Sequence, residues 1–129
     1  MSSPRVLSVG NCGADHGALQ ALLQRHWGAE TQAAADAAAT FSALRDRRFD
    51  LVLVNRIMDA DGSEGIDIIR SMKNDPQLSA VPVMMITNFP EHQQAAVASG
   101  ALPGFGKRDL GSPEMLDTLR AILGTSSTH

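Results

Sequence analysis

Apolar residues in this chain fall into two alternating patterns: short unbroken runs, and longer segments where they recur every three or four positions. Leu51-Val52-Leu53-Val54 is the plainest of the runs. Rich in β-branched residues and too short for a helix, it predicts a strand covered on both faces, the usual state inside a parallel sheet. Residues 5–10 and 81–87 predict two more strands, Pro82 being tolerable near a strand's start. Residues 29–34 predict another, despite the poor strand preference of alanine. A short last strand over 101–107 is broken up by Pro103, Gly104 and Gly106.

Helical spacing fills the intervals. Ala18, Leu19, Leu22, Leu23 and His26 follow Asp15, which can cap that helix, and Gly28 can close it in the left-handed conformation. Residues 36–47 predict a second helix with Ala37, Phe41 and Leu44 as its buried stripe. Ile66, Ile69 and Met72 mark a third, stopped at Asn74-Asp75-Pro76 because proline disfavours helix in the residue before it. Residues 90–99 form a small-residue helix ended by Gly100. Ser112-Pro113-Glu114 opens a fifth with a hydroxyl cap, a proline at the first helical position and an acid in the first turn. Five strands alternating with five helices through short connections predict an α/β, doubly wound, five-stranded parallel sheet with helices on both faces, in order 2-1-3-4-5. Residues 1–124 make one domain, and 125–129 read as a polar tail or the start of a linker.

Composition narrows the function. With 129 residues the chain is one domain's worth; 43 % of it is hydrophobic and 19 % charged, an ordinary globular balance. A formal net charge of −3 argues against direct nucleic-acid binding. The basic cluster Arg45-Asp46-Arg47-Arg48 reads as a solvated helix end, where cations suit the dipole. No run approaches the ~20 apolar residues that span a bilayer, residues 1–5 lack the apolar core of a secretion signal, and the single Cys12 cannot form an internal disulfide. These absences lead to the expectation of a cytoplasmic protein without membrane contact.

In open α/β sheets the working groups sit beyond the carboxyl ends of the strands. Here those positions hold Gly10 and Asn11, Asn55, Thr87 with Asn88, and Lys107. At this point the chain resembles the receiver domains of bacterial two-component response regulators, which share the flavodoxin-like order. Four stretches carry the resemblance, in order and at that family's spacing: Asp50-Leu51-Val52-Leu53-Val54-Asn55 with Met58; Gly65-Ile66-Asp67-Ile68-Ile69-Arg70; Val81-Pro82-Val83-Met84-Met85-Ile86-Thr87; and Gly100-Ala101 through Lys107.

The resemblance implies a phosphoryl-accepting carboxylate at the position of Asn55. It also implies two Mg²⁺-binding acids at Gly10 and Asn11, phosphoryl-oxygen ligands at Thr87 and Lys107, and a signalling aromatic at Gly104. Only Thr87 and Lys107 match. An amide cannot supply the oxygen nucleophile of acyl-phosphate formation. Magnesium is normally anchored by one or two carboxylates, and its loss leaves the transferred charge unneutralised. The expectation is a degenerate pseudo-receiver with no catalytic residue, no metal and no Mg²⁺ cofactor, in which Asn55 is a structural amide. Phe105, one place from the aromatic position, should face the other way by strand alternation.

Alternatives stay open at several residues. Lys107, without an acceptor carboxylate, could turn to solvent, meet Asp15, Asp59 or Asp61, or join Thr87 in an anion site. Turning to solvent is the preferred of the three. Asp59 or Asp61 could act as a residual phosphoacceptor, although with Glu64 they read better as a solvated loop than as the start of a calcium site. Cys12 sits beside the pocket at a helix start but reads as structural. His16, His26 and His92 share no ligand spacing, and Met84 and Met85 read as core. By the same resemblance, output would pass through the face made by residues 90–99, 101–107 and 112–123, by dimerisation or by contact with a partner protein or an effector domain of a longer chain. A small-molecule or anion sensor using the vacated pocket is the rival function.

Overall fold

The computed structural model of the chain describes residues 3–124. Five parallel strands, β1 (Arg5–Val9), β2 (Glu30–Ala34), β3 (Leu51–Asn55), β4 (Val83–Ile86) and β5 (Leu102–Phe105), lie in the order β2-β1-β3-β4-β5. Helices α1 (Gly13–Trp27), α2 (Ala37–Asp46), α3 (Gly65–Asn74), α4 (Pro90–Ala98) and α5 (Pro113–Leu123) alternate with them. This is the expected doubly wound α/β topology. The polar tail at 125–129 lies outside the described residues.

Strand alternation divides the core in two. Val52 and Val54 of β3 join Leu7, Val83 and Met85 under Ile68, Ile69 and Met72 of α3. Leu51 and Leu53 point the other way, with Val6 and Met84, onto Leu19, Leu23 and Trp27 of α1 and Met115 and Leu119 of α5. All four β3 side chains from Leu51 to Val54 are 0 % exposed, so each contributes roughly 1.5–3 kcal/mol of burial. Met84 and Met85 are core, as expected, one on each face. The indole of Trp27 also donates to the Gly124 carbonyl at 2.8 Å, tying the end of α1 to the end of α5.

Side chains that precede their helices cap α2 and α5, the second as expected. Asp36 Oδ1 accepts from the Ala39 amide at 2.8 Å, Ser112 Oγ accepts from the Met115 amide at 3.1 Å, and Gly28 closes α1 at φ 62°. Asp15 does not cap α1. Extended Cys12 precedes that helix, no side chain caps it, and Asp15 lies within its first turn. The α2 stripe also differs from expectation: Thr40, Ala43 and Leu44 are buried, while Ala37 and Phe41 pack at its margin. In α3, Ile68 joins Ile69 and Met72 in the core and Ile66 is only partly covered. Strands β4 and β5 are shorter than expected. Pro82 spends its carbonyl on the Val52 amide before β4 begins, and Lys107 opens a short 3-10 turn, Lys107–Asp109, rather than ending β5.

Candidate functional site

Each strand delivers its last residue to the same end of the sheet, and the backbone fixes what those residues can do. After β1 the chain turns at Gly10 with φ 72°, in the left-handed region that favours glycine. A Cβ there would stand 2.5 Å from both Sδ and Cε of Met58 and 3.1 Å from its Cα. Met58, 1 % exposed, therefore fills the volume a side chain at position 10 would need. Asn11 points its amide nitrogen back at Ser8 Oγ, 2.9 Å, and the Val9 carbonyl, 3.4 Å. Its Oδ1 is buried without a hydrogen-bond partner among the described residues.

At the end of β3, Asn55 Nδ2 donates to the Ile57 carbonyl at 2.7 Å and to the Gly10 carbonyl at 3.3 Å. The loop beyond is stitched to the strand by Gly65 N–H donating to the Arg56 carbonyl at 2.7 Å. Gly65 approaches so closely that a Cβ would lie 2.2 Å from the Asn55 carbonyl oxygen. Past β4, the Thr87 amide bonds the Phe105 carbonyl at 3.1 Å, and Thr87 Oγ1 accepts from the Phe89 amide at 3.2 Å. Asn88 Oδ1 receives the Arg108 amide at 3.1 Å.

Lys107 does not turn free into solvent. Its Nζ sits 2.5 Å from Asp15 Oδ2, both side chains remaining partly exposed. Asp15 is drawn there from inside the first turn of α1 instead of folding back as a cap. The Lys107 hydrogen bond, helped by the Cys12 thiol and the ammonium charge, holds the Asp15 carboxyl below its usual range against a smaller opposing effect of burial.

These elements enclose a cleft of about 200 Å³ lined by Asn55, Arg56 and Ile57 from the end of β3, by Ile86, Thr87, Asn88 and Phe89 from the end of β4, and by Lys107. Of the predicted positions it unites Asn55, Thr87 and Lys107. Gly10 and Asn11 lie behind Asn55 and do not line it, and Asp59 and Asp61 are also absent from its wall. Asp61 instead closes its own loop, accepting the Ser63 amide at 2.9 Å and hydroxyl at 2.6 Å. Those two contacts, the hydroxyl first, lower its pKa. Among the described residues no carboxylate lines the cleft, which carries the cations Arg56 and Lys107.

Gly104 has a distinct environment. Met84 pairs with Leu102 and Ile86 with Phe105, so β5 advances three residues against two of β4. Gly104 falls within this bulge, where a Cβ would be 2.3 Å from the Met85 carbonyl oxygen. Gln93 of α4 bonds across it. Its Nε2 donates to the Met85 carbonyl at 2.8 Å, with longer contacts to Thr87 and Phe105 carbonyls at 3.4 Å, while Oε1 accepts the Gly104 amide at 3.0 Å. Phe105 turns away, as strand alternation predicts, into the core against Met115 and Leu119.

Sequence reasoning missed Met58 as the plug over Gly10, Arg56 and Phe89 as cleft walls, and Gln93 as a clasp. For Arg56 and Phe89 a signal existed, since each lies within two residues of a strand-end position already singled out. For Gln93 the sequence held none, because the clasp depends on a bulge that no periodicity shows.

The topology and the strand-end cleft define a flavodoxin-like α/β domain. Residues 14–104 match the response regulator receiver domain, and the chain belongs to that family of two-component signalling domains. Among solved structures it is similar to the chemotaxis response regulator CheY4 of Vibrio cholerae, with 25 % identity and TM-score 0.75 over 95 % of this chain and 100 % of that one. The signal receiver domain of a DNA binding response regulator protein from Colwellia psychrerythraea shows 21 % identity and TM-score 0.78, covering 92 % of this chain and 96 % of that one. NtrX from Brucella abortus shows 22 % identity and TM-score 0.79 over 95 % of this chain but only 27 % of its own length. No curated protein matches the sequence.

Proposed function

We propose that this receiver domain works as a pseudo-receiver: a protein-binding module of two-component signalling, not a catalyst, whose output needs no phosphoryl transfer. The observation that carries this is the environment of Asn55. Its amide nitrogen is committed as a donor to two backbone carbonyls, so the acceptor position is occupied by a group that builds the loop and has no nucleophilic oxygen to offer.

The floor of the pocket does not fit Mg²⁺ either. Gly10 has Met58 where a carboxylate would project, and Asn11 spends its amide on Ser8 and Val9, leaving no anionic oxygen for a hard divalent cation. Asp59 and Asp61 are no substitute acceptors, since neither reaches the cleft that Thr87 and Lys107 share.

Output would pass through the face of α4, β5 and α5. Phe89, Val97, Leu102 and Leu110 are the large apolar side chains exposed among the described residues. All four lie on or next to α4, β5 and α5 in the chain, and exposed apolar side chains gathered on those elements suit a protein partner. Either a second copy or an effector domain would satisfy it. Among the described residues no helix is long and apolar enough to cross a membrane, and a cytoplasmic site of action accords with the family.

Intact-mass measurement after incubation with acetyl phosphate and Mg²⁺ tests the proposal. The expected result is an unchanged mass under conditions that phosphorylate an active receiver run in parallel. A stoichiometric phosphate adduct would refute it.

A further inference from the structure

We propose that the cleft between β3 and β4 binds a small organic monocarboxylate with an apolar body, and does so without a metal ion. This rests on the pseudo-receiver reading, because an acidic acceptor and acidic metal ligands would repel such a ligand.

Charge fixes the valence of the ligand. Two cations line the cleft, Arg56 and Lys107. Asp15 already neutralises Lys107 at 2.5 Å. Among the described residues the Arg56 guanidinium has no ion-pair or hydrogen-bond partner, so one positive charge is left to balance.

Several side-chain donors are free at the same place. The Thr87 oxygen already accepts the Phe89 amide, which leaves its O–H to donate. Lys107 uses one of three ammonium hydrogens on Asp15 and keeps two. Asn88 has its oxygen occupied by the Arg108 amide, so its NH₂ is what it can present. A planar carboxylate matches the guanidinium fork of Arg56 in two parallel hydrogen bonds.

The rest of the wall argues for an apolar body on that carboxylate. Ile57, Ile86 and Phe89 share the lining with the donors, and Phe89 is 48 % exposed at the lip. Inorganic phosphate would leave these side chains uncovered, and its second charge would have to compete with Asp15 for Lys107.

Titration of the ¹⁵N-labelled full chain with benzoate, acetate and inorganic phosphate, in EDTA and without any phosphoryl donor, tests the proposal. Benzoate should give saturable amide shifts at residues 55–57 and 87–89. Acetate and phosphate should bind more weakly. Arg56→Gln should weaken benzoate by about tenfold or more, as expected for a lost charge-assisted pair, with amide positions remote from the cleft unchanged. Should Arg56→Gln perturb the fold, Arg56→Lys, which keeps the charge but loses the planar fork, should still lower the affinity.

Absence of saturable shifts with benzoate would overturn the proposal, as would tighter binding of phosphate or benzoate affinity unchanged by the cleft variants. Failure here leaves the mass measurement on acetyl phosphate untouched, and a phosphate adduct there would be seen independently of this metal-free titration.

Discussion

Met58 occupies the space that a side chain on Gly10 would enter, its Sδ and Cε each 2.5 Å from where a Cβ would be. The glycine and the methionine are one feature: a turn at φ 72° and the buried thioether packed over it. Gly10→Asp should therefore destabilise the domain by about 1–3 kcal/mol through overpacking and an unfavourable backbone. Urea denaturation read by circular dichroism measures it. Mg²⁺ should not recover the loss, and the paired change Met58→Ala should relieve part of it.

Asn55→Asp alone should not create a working acceptor. The substitution turns a donor facing two carbonyls into a third acceptor at the same spot. A cost of about 1–3 kcal/mol is expected for the unpaired group, with no mass gain on incubation with acetyl phosphate and Mg²⁺. Equal stability of the variant, or ready phosphorylation, would show that the loop adapts far more easily than its hydrogen bonds imply.

Gln93 should matter more than a helix-surface glutamine normally does. Replacing it by Leu removes the partner of the Met85 carbonyl and the Gly104 amide, at a cost of about 1–3 kcal/mol for buried groups left unmet. Amide hydrogen exchange at Gly104 should accelerate more than at β1 or β3. Gly104→Ala should be destabilising by a different route, since its Cβ would sit 2.3 Å from a backbone oxygen that cannot rotate away.

Acid should release the Asp15–Lys107 pair. Asp15 has a pKa lowered in the folded state, chiefly by the Lys107 hydrogen bond, so its contribution is present at neutral pH and above the unfolded value near 3.8. It is lost as pH falls through the still lower folded pKa. Both groups are partly exposed, which limits the pair to no more than about 1 kcal/mol. Lys107→Met should thus barely move the urea midpoint at pH 7, and should flatten its fall as pH drops from the unfolded value through the lowered folded pKa of Asp15.

The strand order and both core faces were legible because burial on both faces leaves β3 an unbroken apolar run, while burial on one face writes helical spacing into α1, α3 and α5. The site was legible only in its identities. Asn55, Thr87 and Lys107 converge as the topology requires, but the sequence could not choose among Asp15, Asp59, Asp61 and solvent for Lys107, and it offered Asp15 first as a helix cap. That choice is tertiary: a carboxylate inside the first turn can reach an ammonium brought by the 3-10 turn after β5, over ninety positions distant. Ile68 and Thr40 entered the core for a similar reason, since helix rotation is set by what the sheet presents as much as by the helix's own stripe.

Gly65 has a wider consequence. Its amide is bonded to the Arg56 carbonyl, and a Cβ on it would meet the carbonyl oxygen of residue 55 and the Val54 side chain, so the start of α3 is seated against main chain and an apolar side chain. Ionic groups can be deleted from such a seat without moving it. A mutation that crowds residue 65 should therefore harm this chain more than any exchange of charge in the cleft it supports.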